Sequence, residues 1–177
     1  MILGLDVSTS ITGATVLDKD GKVVFCAAWD MRNKKYFPTL FDKSDFIKDR
    51  IWELEDMFHL EAVYIEQSLQ SFRSGFSSAK TLSTLSRFNG IVSWLCYSIL
   101  NTIPEYIAAT SARKKAGISV PKSVKGKEAV MKYVIDNVPD VLIEYTRHGN
   151  PKPQCYDKAD SWVIARAGWI ECKKQKN

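Results

Sequence analysis

The stretch that decides the fold is Ile2-Leu3-Gly4-Leu5-Asp6-Val7, a nearly continuous apolar run containing one glycine and one acid. Such a run predicts a strand covered on both faces, because a half-exposed strand would alternate apolar and polar positions. Thr12-Gly13-Ala14-Thr15-Val16-Leu17 reads as a second strand. Asp18-Lys19-Asp20-Gly21 then supplies the turn chemistry for a hairpin into a third strand over Lys22–Trp29.

Beyond residue 40 the period changes. Ile47, Ile51, Leu54 and Phe58 recur at helical spacing, with Asp49, Arg50, Glu53 and Asp56 mainly on the opposite side. Glu61–Glu66 is a short strand that again ends in an acid. Ser78 to Asn101 reads as a long helix with a heptad-like stripe of Leu85, Phe88, Val92, Leu95 and Ile99. Ile91, Trp94 and Tyr97 lie off that stripe, so the helix is either a core helix or one that also packs on a partner. Ile103–Ala109 is a fifth strand with Pro104 at its entrance. A basic stretch from Arg113 to Lys127 follows, then a helix through Ala129, Val130, Tyr133 and Val134. A last helix from near Tyr156 carries Ala159, Val163, Ile164 and Ala167 inward. The order β-β-β-α-β-α-β-α-α predicts one mixed α/β domain over residues 1–177.

With 177 residues, 45% hydrophobic and 25% charged, the chain can bury a core without a disulfide or metal staple. The composition excludes collagen-like, disordered and disulfide-scaffold classes. No apolar run reaches the ~18 residues of a membrane span and the start lacks a leader pattern, so a soluble cytoplasmic protein without a membrane partner is expected. Cys26, Cys96, Cys155 and Cys172 have no short paired spacing and read as reduced thiols. The net charge of +5 is local. The window Thr110–Tyr133 carries +6, and the remainder sums to −1.

Two buried strands end in carboxylates, Asp6 and Glu66, and the carboxyl edge of an open α/β sheet is where such folds bind ligands. Asp157 and Asp160, three apart at a helix start, would share one face. Four carboxylates in one crevice repel one another unless a cation neutralises them, and hard divalent ions take oxygen ligands. A pair of such ions about 3.5–4 Å apart can activate water and stabilise the leaving oxygen of a phosphodiester. Singly, each acid has a plain explanation, as a strand-end charge or as a helix-dipole partner. Their occurrence in three separated segments favours a common site.

These segments resemble the acidic motifs of RuvC-type Holliday-junction resolvases, members of the RNase H-like (retroviral integrase) superfamily. The likeness rests on Ile2-Leu3-Gly4-Leu5-Asp6 with Thr12-Gly13, Ile65-Glu66-Gln67, and Asp157-Lys158-Ala159-Asp160-Ser161, in order across nearly the whole chain. Ala112-Arg113-Lys114-Lys115 and Gly126-Lys127-Glu128-Ala129-Val130 resemble the basic segment after the family's fifth strand. The resemblance implies an RNase H-like fold with a mixed five-stranded sheet, three antiparallel N-terminal strands plus two parallel ones, flanked by helices. It also implies a homodimeric endonuclease that uses two Mg²⁺ ions, with Mn²⁺ as a substitute, to nick four-way DNA junctions symmetrically. Asp6, Glu66, Asp157 and Asp160 would hold the metals. Lys127 or its neighbour Lys125 would stand near the scissile phosphate, and the Leu85–Ile99 stripe would form the dimer interface.

Two departures mark a divergent, plausibly phage-borne, relative. Val7-Ser8-Thr9-Ser10 replaces the family's Pro-Gly-Ser after the first acid. Leu69 stands where an aromatic wedge is usual, leaving Phe72, beside Arg73, as the nearest candidate for contacting the junction. Arg113, Lys114, Lys115, Lys122, Lys125 and Lys127 fit phosphate contacts, although a solvated charged face would look the same. Forks, flaps or hybrids are alternative substrates for the same nuclease. The Gly4-Leu5-Asp6-Val7-Ser8-Thr9 run also resembles the first phosphate loop of actin-like ATPases and sugar kinases, but no second such loop follows.

Overall fold

The computed structural model describes residues 1–67 and 79–175. Its elements are β1 (Ile2–Asp6), β2 (Ile11–Leu17), β3 (Val23–Asp30), α1 (Leu40–Phe58), β4 (Ala62–Glu66), α2 (Ala79–Leu100), β5 (Glu105–Ile107), α3 (Ala109–Lys115), α4 (Gly126–Asn137) and α5 (Pro153–Gln175). The sheet order is β3-β2-β1-β4-β5. The first three strands are antiparallel, and β4 and β5 are added parallel to β1. This is the mixed five-stranded α/β sheet expected.

Strand alternation sorts the side chains onto two faces. From β1 and β4, Leu3, Leu5, Val63 and Ile65 turn to one face, against Ile47, Ile51 and Leu54 of α1 and Phe88, Val92 and Leu95 of α2. Ile2 and Tyr64 turn to the other face, against Val163, Ile164 and Ala165 of α5, whose outer side is covered by Ala112 of α3 and Val130 and Val134 of α4. Gly4, Asp6 and Glu66 keep the period of Ile2 and Tyr64, so both strand-end acids are directed to the α5 side.

The middle of α5, from Ala159 to Ala167, is buried on most sides, by the sheet beneath and by α3 and α4 above. Its seating is unusually close. A Cβ on Gly4 would stand 2.3 Å from the Ala165 backbone nitrogen, and one on Gly13 would stand 2.0 Å from the Asp157 carbonyl oxygen. No larger residue at these two strand positions leaves the helix where it is. The Thr15 and Ser161 hydroxyls, 2.8 Å apart, satisfy each other between the two glycines and the helix.

Several boundaries differ from those read off the sequence. The fifth strand is shorter, three residues rather than Ile103–Ala109, and α3 takes the place of the first part of the basic stretch. Only Ala112 of α3 is buried, so it carries no apolar period to detect. The helix α1 begins at Leu40 through a reciprocal capping box between Thr39 and Asp42. The helix α5 begins at Pro153, three residues before the expected start, with proline at a first-turn position that needs no N–H.

The dimer stripe is corrected. Phe88 and Val92 are fully buried and Leu95 nearly so, all within this chain's own core, so they have no surface to offer a second chain. Leu85 and Ile99 are half-buried. The outward face of α2 is instead Trp94, 63% exposed, and Tyr97, 49% exposed. All four cysteines are free thiols, and among the described residues no helix is long and apolar enough to cross a membrane.

Gly4→Ala is expected to destabilise by about 1–3 kcal/mol or more through overpacking. Gly90→Ala, on an open helix surface with nothing within 4 Å, should stabilise by roughly 0.5–1 kcal/mol. Urea midpoints of the two variants, moving in opposite directions, check this.

Candidate active site

Asp6 closes β1 and Glu66 closes β4. The parallel register pairs Leu5 with Ile65, so the acids follow one residue later on adjacent strands, whose axes run about 4.8 Å apart. On the other side Asp6 pairs with Gly13 of β2, the residue directly beneath the Asp157 carbonyl. The contact that seats α5 therefore also brings its first turns over the strand-end acids. The Asn89 side-chain amide of α2 donates to the Glu66 carbonyl at 3.5 Å, and Gln67 N–H donates to the Ile107 carbonyl at 3.0 Å, tying down the end of β4.

The four carboxyls sense one another. Burial pushes Asp6 well above the ordinary carboxyl range, and repulsion from Glu66, Asp160 and Asp157 adds to it. Glu66 is raised by burial and by Asp160. Asp160 is raised by burial, against the pull of Lys127 and Arg113. Asp157 is lifted from 3.8 to about 6, again chiefly by burial.

One ammonium stands among them. Lys127, the second residue of α4, places Nζ 3.2 Å from Asp160 Oδ2. Partial burial disfavours its charge, but Asp160 and Asp6 outweigh that and hold it above the ordinary lysine value. Arg113 of α3 is the second cation near the acids: it lowers both Glu66 and Asp160, and a Cβ on Gly126 would lie 2.5 Å from its guanidinium. Among the described residues, no three His, Cys, Asp or Glu side chains stand in a geometry ready to hold an ion. The donor chemistry nevertheless fits a hard divalent cation, because the set is all oxygen and the repulsion among its four carboxyls is not fully offset by Lys127 and Arg113.

The remaining basic candidates divide. Lys122 and Lys125 are exposed just before α4, with Lys125 at its cap, and Lys114 is exposed on α3. Lys115 is ion-paired with Glu171, near the far end of α5, and is not brought to the acids. Phe72 and Arg73 lie outside the described residues. Sequence reasoning missed Arg32, which follows β3 and lowers the pKa of Asp157 by its charge. The cluster Arg32, Lys34 and Lys35 was the available signal.

The fold has solved counterparts. Thermus thermophilus RuvC in complex with a Holliday junction substrate superposes with a TM-score of 0.66 at 11% identity, covering 98% of this chain and 94% of that one. A second Thermus thermophilus RuvC structure matches with a TM-score of 0.65 at 14% identity, covering 98% and 96%. The yeast mitochondrial Holliday junction resolvase matches at 0.61 and 16% identity, covering 98% and 79%. No family model and no curated protein sequence matches the chain. At these identities the likeness establishes the RNase H-like fold of the RuvC type, in a divergent sequence.

Each of these carboxyls binds its proton more tightly in the folded protein than in the unfolded chain. Without metal, the contribution of these four groups to stability is therefore greatest at low pH. It is lost as pH rises from the ordinary carboxyl value through the raised one, between 3.8 and about 6 for Asp157. In EDTA the Tm of wild type should fall relative to that of Asp6→Asn as pH rises. At neutral pH, Asp6→Asn should raise the EDTA Tm by a few degrees, since ~1 kcal/mol shifts Tm by about 2–4 °C for a domain of this size. Added Mg²⁺ should raise the wild-type Tm and leave the variant nearly unmoved. Calorimetry in EDTA and in Mg²⁺ reads both effects.

Proposed function

We propose that this chain is a divalent-cation-dependent endonuclease that resolves four-way DNA junctions by paired symmetric nicks. The observation that carries the reading is the meeting of Asp6, Glu66, Asp157 and Asp160, from three separate segments, at one sheet edge with Lys127 among them. A crevice of buried carboxylates with a basic border suits a phosphodiester: the acids would hold the cations, and the basic groups would meet the phosphate charge. The solved counterparts include one bound to a Holliday junction substrate, which favours branched DNA over linear duplex.

Asp6, Glu66, Asp157 and Asp160 would hold Mg²⁺, two ions per site, or Mn²⁺. When bound, such ions supply Lewis acidity at the phosphate and lower the pKa of water. The protein's own share is positioning and charge. The carboxyls are directed to one sheet edge by strand alternation and by helix seating, and would close on the cations as these bind. Lys127, 63% exposed at its side chain, is free to turn from Asp160 toward a phosphate oxygen once cations take over the neutralisation of the acids. Arg113 stays beside Glu66 and Asp160 as a second anchor for the strand. Lys114, Lys122 and Lys125 add phosphate contacts that orient the DNA without reading its sequence.

Two symmetric nicks require two active sites and therefore a second copy of the chain. The outward face of α2, bearing Trp94 and Tyr97, is the surface available to it, and the exposed Tyr106 of β5 reaches α2 through its hydroxyl on Ser93 at 2.6 Å.

Purified protein incubated with labelled junction, fork, flap, linear duplex and RNA–DNA hybrid, with Mg²⁺ or EDTA, tests the reading. Paired nicks in the junction and none in EDTA are expected. Preferential cutting of forks or flaps would replace the substrate assignment. Asp6→Asn should abolish cleavage while junction binding persists, and cleavage at the wild-type rate would sink the site. Lys127→Ala should lower kcat by about 10²–10³-fold, the usual loss for one transition-state donor. Trp94→Arg should shift the protein from dimer to monomer in analytical ultracentrifugation and convert paired nicks to single ones.

A further inference from the structure

Resting on the nuclease reading, we infer that the β3–α1 connection is a second DNA-contact site, in which a base stacks on Tyr36 and the strand's phosphates meet Arg32, Lys34 and Lys35. Arg113, on the helix that follows β5 directly, and the start of α4 beside it reach the acids from that edge of the sheet. The β3–α1 connection reaches them from the opposite edge, since β3 and β5 are the two outer strands. Its attachment to the active-site edge is direct. Met31 N–H donates to the Ser10 carbonyl at 2.8 Å, and Lys43 Nζ donates to the Thr9 carbonyl, both in the turn that follows Asp6.

The segment Met31–Phe41 holds three basic residues and no acid. Among the described residues, no carboxylate is ion-paired with Lys34 or Lys35, whereas Arg32 is held in place by Asp30, with Nη2 2.6 Å from Oδ2. The turn is ordered by its own hydrogen bonds. The Asn33 side chain accepts from Lys35 N–H at 3.0 Å, and the Asn33 carbonyl accepts from Phe37 N–H at 2.9 Å. Phe37 packs inward against Phe46, their ring centres 5.2 Å apart. That anchor leaves Tyr36 outward at 67% exposure, and Phe41 is 75% exposed on the first turn of α1. An open cleft of about 570 Å³ adjoins Tyr36, lined also by Asp30, Arg32, Asn33 and Phe37.

A large aromatic held outward by the turn, among lysines without a carboxylate partner in the described residues and with Lys35 Nζ 5.9 Å from its ring centre, is the combination that binds nucleic acid by stacking and charge. The geometry also matches in scale. Four strand spacings separate β5 from β3, roughly 19 Å. That is about five or six nucleotides at 3.4 Å per residue of a stacked strand. A strand lying over the acids would thus be gripped on one side by Arg113 and the α4 start and on the other by this turn.

The test measures junction binding against salt concentration, in the Asp6→Asn background so that no cutting intervenes. Lys34→Ala/Lys35→Ala should lower the log–log salt slope by about 1.4–1.8, the release expected for two phosphate contacts. Tyr36→Ala should weaken binding by about 5–150-fold with an unchanged slope, and Tyr36→Trp should restore it, as expected for base stacking. Circular dichroism melts equal to the parent establish that each variant folds. Unchanged affinity and slope in both variants, while the parent protein binds junctions, would overturn the site and leave the nuclease reading standing. The expected shifts in a protein that binds junctions yet never cleaves them would uphold the site and remove the nuclease reading. A parent protein that binds no DNA would overturn both.

Discussion

The close seating of α5 on the sheet is the constraint on which the rest of the structure depends. It exists because Gly4 and Gly13 present bare backbone where any Cβ would collide with the helix. Close packing of this kind yields dispersion contacts along the whole helix, and it closes the polar account through the Thr15–Ser161 pair. Its functional consequence is positional. The Asp157 carbonyl rests over the residue that pairs with Asp6, so a strand-end acid and a helix-start acid are brought together by the same contact that forms the core.

That arrangement works against the fold's own stability. Burial raises all four carboxyls, and mutual repulsion adds to it, most clearly at Asp6. A protein selected only for stability would have apolar residues there. The ammonium of Lys127 relieves part of the repulsion from a solvent-facing position, and Arg113 relieves another part. The repulsion that remains is what the proposed cations would offset.

Charge on the rest of the edge follows the strand order. The sheet places β1 and β4 centrally, so the acids sit in the middle while α3 and the start of α4 border them on one side and the β3–α1 connection on the other. Not every lysine of the basic stretch shares in this: Lys115 is turned toward Glu171 at the far end of α5. Net charge counted along the chain therefore overstates how much of it faces the crevice.

The sheet, its two faces and the four acids were legible in the sequence by itself. Strand alternation and helical periodicity are local rules, and Asp6 and Glu66 close strands whose apolar runs are unmistakable. Local rules failed where burial is sparse, as in α3, and where a helix is apolar on more than one side. On α2 the sequence could not say which apolar stripe is core. The tertiary structure decided it by packing Phe88 and Val92 under the sheet and leaving Trp94 and Tyr97 outside. It alone also decided which cations reach the acids, admitting Lys127, Arg113 and the unanticipated Arg32 and sending Lys115 elsewhere. The physical reason is range. Hydrogen-bonded elements are specified by neighbours a few residues away, whereas a charge acts on whatever the folded chain brings within a few ångströms, and that depends on the packing of every element at once.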